Sequence, residues 1–444
     1  MRLHSNTQHP PARSCVTGLV RSCIACCWIM ATCCYTSLLY AEALPSPLSL
    51  SKALSLANNS HPELLLADAN LAYALSERES VGSSNDIDAY VELAPYTSSP
   101  STNDKFSNDS YLRFSVSKTI YDFGYSDYLE DSADEAVLSQ QLNASAARNK
   151  SYLNIMRLYF DVLLADLHFA AVDEEMTSLY VKFDKLRERH SLGMVSDVTL
   201  AESESIYREL ADQRKSAELE QQSSRWRLAI ALNRPDDIPA ELIRPDLPQL
   251  DRSVPELSEL LDEAFENNLT LTALEHAMLA DRAALKATQQ QYGPTLAAGL
   301  ELNEYQRKLP GKNDASIGVT LRIPLLNGSR SQAEVARAAA KLSSSQASYD
   351  LAKHSLRQNL SDLVRRLELL IYKRTTDELR LDSTSLTLDR NRARYELEMQ
   401  TTLGDSMAKY TNAEWLSAKN DFDIATTWAQ IEILTGKKLY QDQE

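Results

Sequence analysis

The chain has 444 residues, 43% of them hydrophobic, which suffices for real cores, and its 46 basic against 62 acidic side chains give a formal charge of −16. That balance excludes a nucleic-acid surface built on a basic patch. Only 11 glycines are spread through the chain, which excludes a glycine-rich phosphate-binding loop.

A processing signal is expected over the first residues. All six cysteines (Cys15, Cys23, Cys26, Cys27, Cys33 and Cys34) fall within the first 34 residues, so none staples or ligates anything in the mature body. Arginines precede an apolar stretch from about Cys23 to Tyr40, followed by Ala41-Glu42-Ala43 before Leu44-Pro45, the layout of a cleavable secretory signal over residues 1–43. Cleavage is expected after Ala43. A retained membrane anchor and lipidation at Cys33 are the alternatives. The segment carries Arg2, Arg13 and Arg21 against Glu42, so its loss leaves a mature charge of −18.

A first repeat is expected over residues 44–232, opening with a short N-terminal helix. Two stretches of strict alternation come next, within residues 86–120. Ile87, Ala89, Val91 and Leu93, then Leu112, Phe114 and Val116, are interleaved with Asp88, Tyr90, Glu92, Arg113, Ser115 and Ser117, the pattern of a two-faced strand pair. Residues 125–234 then hold no proline and one glycine, Gly193, and read as a long helical hairpin over 125–232. Leu153, Met156, Phe160, Leu163 and Leu167 recur in steps of three and four, one helical stripe. A helix from Tyr125 to Leu192 at 1.5 Å per residue is roughly 100 Å long.

Residues 233–256, with Pro235, Pro239, Pro245, Pro248 and Pro255, read as an extended connector. Helical periodicity resumes from Leu257 to Gln291 and opens a second repeat over 257–436, before a tail at 437–444. Its strand pair, about 295–324, alternates Leu296, Ala298, Leu300, Leu302 and Ile317, Val319, Leu321, Ile323 with Glu301, Asn303, Thr320 and Arg322. Residues 329–444 hold no proline and two glycines, Gly404 and Gly436, and give a second long hairpin over 329–436. Lys118 to Gly124 (KTIYDFG) sets against Arg322 to Gly328 (RIPLLNG) at a shift of 204, and Arg189 to Ser196 against Arg394 to Thr401 at 205. The shared order of elements makes this an internal repeat.

Alternation alone does not separate a soluble sheet from a membrane barrel. Four strands cannot close a barrel, and an open sheet edge in lipid leaves backbone groups unpaired. If the strands cross a membrane, several copies share one barrel. A secretory signal with amphipathic strands points to the Gram-negative outer membrane. Tyr90, Tyr96, Tyr111, Tyr121, Tyr292 and Tyr305 sit at or near strand ends, where an aromatic girdle would lie; ordinary strand packing by tyrosine is the alternative for each.

From about Leu48 to Leu439 the chain resembles the TolC-like outer-membrane factor family, the outer membrane efflux proteins. The carrying residues are Ser60-His61-Pro62-Glu63-Leu64, Ile120-Tyr121-Asp122-Phe123-Gly124, Ile323-Pro324-Leu325-Leu326-Asn327-Gly328 and Leu192-Gly193-Met194-Val195-Ser196. The resemblance implies an α+β membrane protein: a homotrimer with a 12-stranded outer-membrane β-barrel, four strands per protomer, continued by a periplasmic α-helical barrel. It also implies an efflux or type I secretion duct, opened when a periplasmic adaptor (membrane fusion protein) and an ABC or RND inner-membrane transporter engage it.

By that resemblance the helical-hairpin turns, Leu192, Gly193, Met194 and Leu397, Glu398, Met399, meet the adaptor, and the periplasmic aperture falls at Thr401, Gly404 and Asp405. The chain departs from the family where Glu398 replaces a usual glycine and where Gly404 and Met407 stand in place of common aspartates. Asp405 is left to supply one ring of carboxylates per trimer. The five histidines after residue 43 (His61, His168, His190, His276 and His354) are scattered and no HExxH occurs, so neither catalysis, a cofactor nor a metal site is expected. His190 is the one titratable candidate at the hairpin end. The competing function is a structural periplasmic coiled coil or adhesin stalk, which has no need of four alternating strands.

Overall fold

A computed structural model describes residues 44–56, 61–99, 106–308, 310–326, 328–397 and 402–437. The expected signal segment, most of the C-terminal tail, and Ser60, Asn327, Glu398, Met399 and Thr401 lie outside the described residues. The chain divides after Pro45, and all of the described helices and strands belong to the unit that begins at Ser46.

Its helices are α1 (Leu50–Ser55), α2 (Pro62–Ser83), α3 (Tyr125–Ser191), α4 (Asp197–Ala231), α5 (Leu257–Asn267), α6 (Leu269–Gln290), α7 (Arg330–Glu396) and α8 (Leu403–Leu434). Its strands are β1 (Asp88–Ala94), β2 (Thr97–Ser98), β3 (Ser107–Asn108), β4 (Tyr111–Tyr121), β5 (Thr295–Tyr305) and β6 (Ala315–Arg322). The repeat is visible in the lengths: α2 and α6 have 22 residues each, and α3 and α7 have 67 each. At 1.5 Å per residue each 67-residue helix runs about 100 Å. Among the described residues no helix is long and apolar enough to cross a membrane.

The helices start and stop where local chemistry dictates. Gly124 (φ +90°) and Gly328 (φ +60°) take the left-handed turn from strand to long helix in the two repeats. Asp122 of the YDFG motif caps α3, its carboxylate accepting the Ser126 N–H at 3.0 Å. At the far end Gly193 (φ +74°) closes α3. The Met194 N–H reaches back to the Arg189 carbonyl (3.0 Å) and the Gly193 N–H to His190 (2.8 Å), the paired bonds of a Schellman ending. Asn233 (φ +57°) ends α4 and Gly436 (φ +80°) ends α8 in the same way. The helix expected from Leu257 to Gln291 is two helices. Asn268 breaks it and caps α6, accepting the Leu271 N–H at 2.9 Å.

The helices form a layer. Along one part of it α4 packs on α3, α3 on α8 and α8 on α7; along the other α2 packs on α3, α3 on α6 and α6 on α7. Because α3 is gripped from both sides, its buried surface is wider than one stripe. Met156 and Phe160 are buried as the periodicity predicts, but Leu153, Leu163 and Leu167 are only half-buried. Ile155, Tyr159 and Val162 are buried more deeply, as is Asn149. Phe160 stacks on Phe422 of α8 at 4.5 Å between ring centres. A separate apolar cluster joins α5 to α7 and α8 through Leu260, Ala264, Leu360, Val364, Leu367, Ile424, Trp428 and Ile431.

The connector is strapped across α7 and α8. Arg244 pairs with Asp421 (3.3 Å), Arg252 with Glu432 (2.7 Å), and Arg374 donates to the Leu250 carbonyl (3.0 Å). Leu48 bridges Leu242 in parallel fashion. The buried Tyr159 hydroxyl lies 2.7 Å from the Leu48 carbonyl and 2.6 Å from that of Ile243, so one proton ties both segments to α3.

The sheet is antiparallel in the order β1-β4-β5-β6. Its register aligns one mainly apolar face in rungs: Leu93, Leu112 and Glu304; Val91, Phe114 and Leu302; Ala89, Val116, Leu300 and Ile317; Lys118, Ala298 and Val319; Leu296 and Leu321, with the charged Glu304 and Lys118 in rungs on either side of the apolar middle. The other face carries Glu92, Arg113 and Asn303 in one rung and Tyr90, Ser115 and Glu301 in the next. Strand alternation therefore puts Tyr90, Tyr111 and Tyr305 on the polar face, which corrects the girdle expected of them. Tyr121, paired with Leu296 after a bulge, is on the apolar face.

Candidate functional site

Of the sequence-predicted turn residues, Leu192, Gly193, Met194 and Leu397 are described, and they sit at the ends of the long helices where the hairpins turn. Leu192 and Met194 are each 65% exposed and Leu397 is 72% exposed, so each tip offers bare apolar side chains, those of the first beside the Gly193 turn. His190, in the last turn of α3, pairs with Asp197 at the start of α4 (2.6 Å) and so ties the two arms of the first hairpin.

Asp405 and Gly404 open α8 beside α3. A Cβ on Gly404 would stand 3.3 Å from the Ser178 Oγ, so glycine lets the two helices approach closely. The Asp405 carboxylate accepts from the Ser178 hydroxyl and from the Lys182 ammonium, which stands 2.6 and 2.7 Å from its two oxygens. Partial burial pushes this carboxyl up. The bonds from Lys182 and Ser178 and the nearby charge of Lys409 outweigh it and hold Asp405 below the ordinary carboxylate range. Asp405 is thus a carboxylate paired within its own protomer. Sequence reasoning missed Lys182 and Ser178, because their meeting with Asp405 depends on the α3–α8 register.

Asp405 lies eighteen residues, five full turns, before Asp423, so the two share one face of α8. That face is turned nearly opposite to Asp421, which the connector's Arg244 covers. Next to Asp405, side chains of α3, α4 and α8 enclose a groove of about 510 Å³ that includes Glu175, Lys182, Glu209, Gln213 and Lys409. Among the described residues no group of three or more His, Cys, Asp or Glu side chains is placed to hold a metal.

Residues 260–436 match the family described as outer membrane efflux protein. No curated protein matches the chain in sequence. In fold the chain is similar to the Campylobacter jejuni CmeC outer membrane channel (TM-score 0.71, 14% identity, 89% of this chain and 87% of that one). It is likewise similar to the open state of the Neisseria gonorrhoeae MtrE outer membrane channel (0.69, 16%, 89% and 90%). The Vibrio cholerae outer membrane protein VceC gives 0.68 at 16% identity, over 88% and 97% of the two chains. A four-stranded sheet with one apolar face, continued by two long helical hairpins, is the fold of an outer-membrane channel protomer. The family match thus rests on the second half of the chain, residues 260–436, while the likeness to the outer membrane channels is one of fold over nearly the whole chain.

Proposed function

We propose that three copies of this chain form one conduit, the exit duct through which an inner-membrane transporter and its periplasmic adaptor pass cargo outward. The observation that carries this reading is the pair of open edges on the protomer. β1 and β6 are the two ends of the sheet order, and every residue of β6 is exposed. In the helical layer α7 stands at one end and α2 and α4 at the other. Along α7, Tyr372, Leu379 and Leu386 recur every seventh residue and are left exposed, the spacing of a seam for another helix.

Edge joined to opposite edge is a head-to-tail contact, and such contacts close into rings. Three copies give the twelve strands that the family implies, with the apolar face toward lipid and the polar face toward the lumen. The connector then belts the outside, which turns the face bearing Asp405 and Asp423 toward the tunnel. The exposed Leu192, Met194 and Leu397 form the adaptor-facing tips. A stalk without a pore would have no use for an apolar face running across all four strands.

The duct has no energy source of its own, so the partner, of ABC or RND type, does the work. An excess of acidic groups on the wall favours cationic or neutral cargo over anions. Reconstitution into planar bilayers tests the reading: discrete single-channel steps with cation-biased reversal potentials are expected. A protein that stays soluble without detergent and gives no steps would overturn it.

A further inference from the structure

At the end of the sheet farthest from the helices, Asp109 is buried to 7% exposure between the turns of both strand pairs. Its carboxylate accepts from the Ser98 hydroxyl, across the small β2–β3 ladder. Lys312 and Arg307, from the β5–β6 turn of the second repeat, stand 3.6 and 3.9 Å from its oxygens. The Ser98 bond is the main cause that holds Asp109 below the ordinary carboxylate range; burial opposes it and the two cations reinforce it. The carboxylate therefore stays charged and paired.

Tyr96 and Lys312, described residues of these turns, lie against the polar side of the sheet. The Lys312 ammonium sits 4.7 Å from the centre of the Tyr305 ring, and Tyr305 belongs to the polar face. Tyr96 meets Tyr111 edge-on at 6.1 Å, Tyr111 meets Tyr305 at 5.9 Å, and Arg113 lies 4.9 Å over Tyr111. Side chains of the two turns are thus laid over polar-face residues of the strands and locked to each other through one buried anion.

We propose that Asp109, with Ser98, Arg307 and Lys312, is an ion-pair latch that holds the two surface turns over the lumen face and sets a second constriction at the outer mouth of the conduit. This rests on the reading of the polar face as the lumen. Each copy supplies one latch, so a ring of three narrows the exit from three sides, at the opposite end from Asp405. The bore at the mouth, and with it the size of cargo or external reagent that passes, depends on whether the latch is closed.

Because the native cysteines all lie within residues 1–34, a single engineered cysteine reports on this without interference. Thr320 lies deeper on the polar face, in the rung of Ala297 and Thr119. Intact cells carrying Thr320→Cys are treated from outside with a small membrane-impermeant maleimide or with a polymer-linked one. The small reagent is expected to label the chain with the latch intact, and the polymer-linked reagent to label it several-fold faster once Asp109→Asn is added. Arg307→Met with Lys312→Met releases the latch from its other side, which keeps the test decisive if the Asp109 variant fails to assemble. Equal labelling by the polymer-linked reagent with and without the latch would overturn the latch and leave the conduit standing. A Thr320→Cys that even the small reagent does not reach would overturn both.

Discussion

The side-chain amide of Asn268 donates to the Leu434 carbonyl at 3.0 Å while its oxygen accepts the Leu271 N–H at 2.9 Å. One residue therefore caps the start of α6 and the end of α8, and joins the break in the second repeat to the last turn of α8. Helix ends leave such groups orphaned, and a cap is worth about 1 kcal/mol. Asn268→Ala is expected to destabilise the protein by roughly 1–3 kcal/mol, since the half-buried Leu434 carbonyl also loses its donor. Asn268→Asp keeps the α6 cap but cannot donate, and falls between. Denaturant titration in detergent measures the order; an Asn268→Ala chain as stable as the parent would contradict it.

Tyr159 makes the corresponding tie for the N-terminal segment and the connector. Burial pushes its phenol up to about 12, so it remains a donor across any usable pH. Tyr159→Phe removes the proton shared by the Leu48 and Ile243 carbonyls, at a cost of about 1–2 kcal/mol. Residues 46–56 should then be trimmed by protease faster than in the parent while the long helices remain protected. Unchanged trimming would show that the Leu48–Leu242 bridge holds without it.

Asp405 and Lys182 tie α8 to α3 beside the proposed aperture. The native carboxyl lies below its ordinary value near about 4, so the tie contributes fully above that value and is lost as pH falls through the lower native one. Conductance of the closed pore should therefore be flat through mild acid and rise only below about pH 4. Asp405→Asn should raise it at neutral pH, weaken block by multivalent cations and abolish the acid step. The exchanged pair Asp405→Lys with Lys182→Asp should restore the low conductance. Bilayer recordings that show no change in the single variant would remove Asp405 from the constriction.

Much of the architecture is legible in the sequence because long-range order here is built from local signals. The breaker-free blocks define the two hairpins, the alternation of Leu112, Phe114 and Val116 defines a strand, and Gly124 and Gly328 mark matched junctions. Asn268 breaks a helix that periodicity alone would continue: its cap to the Leu271 N–H is local, but the bond it donates to the Leu434 carbonyl joins residues distant in sequence. The tyrosines at strand ends escape prediction for a related reason: composition says that an aromatic is present, while the face is set by register. Lys182 and Asp109 have no sequence signal as partners. Each meets its ion only once α3 lies against α8 or the two strand pairs share one sheet.

The proposed conduit stands on one requirement: a chain that supplies four strands with two unsatisfied edges must be completed by identical copies. Light scattering of the purified protein in mild detergent, corrected for bound detergent, measures this directly. A particle of three chains that dissociates only on denaturation is expected; a stable particle of one chain would contradict the conduit.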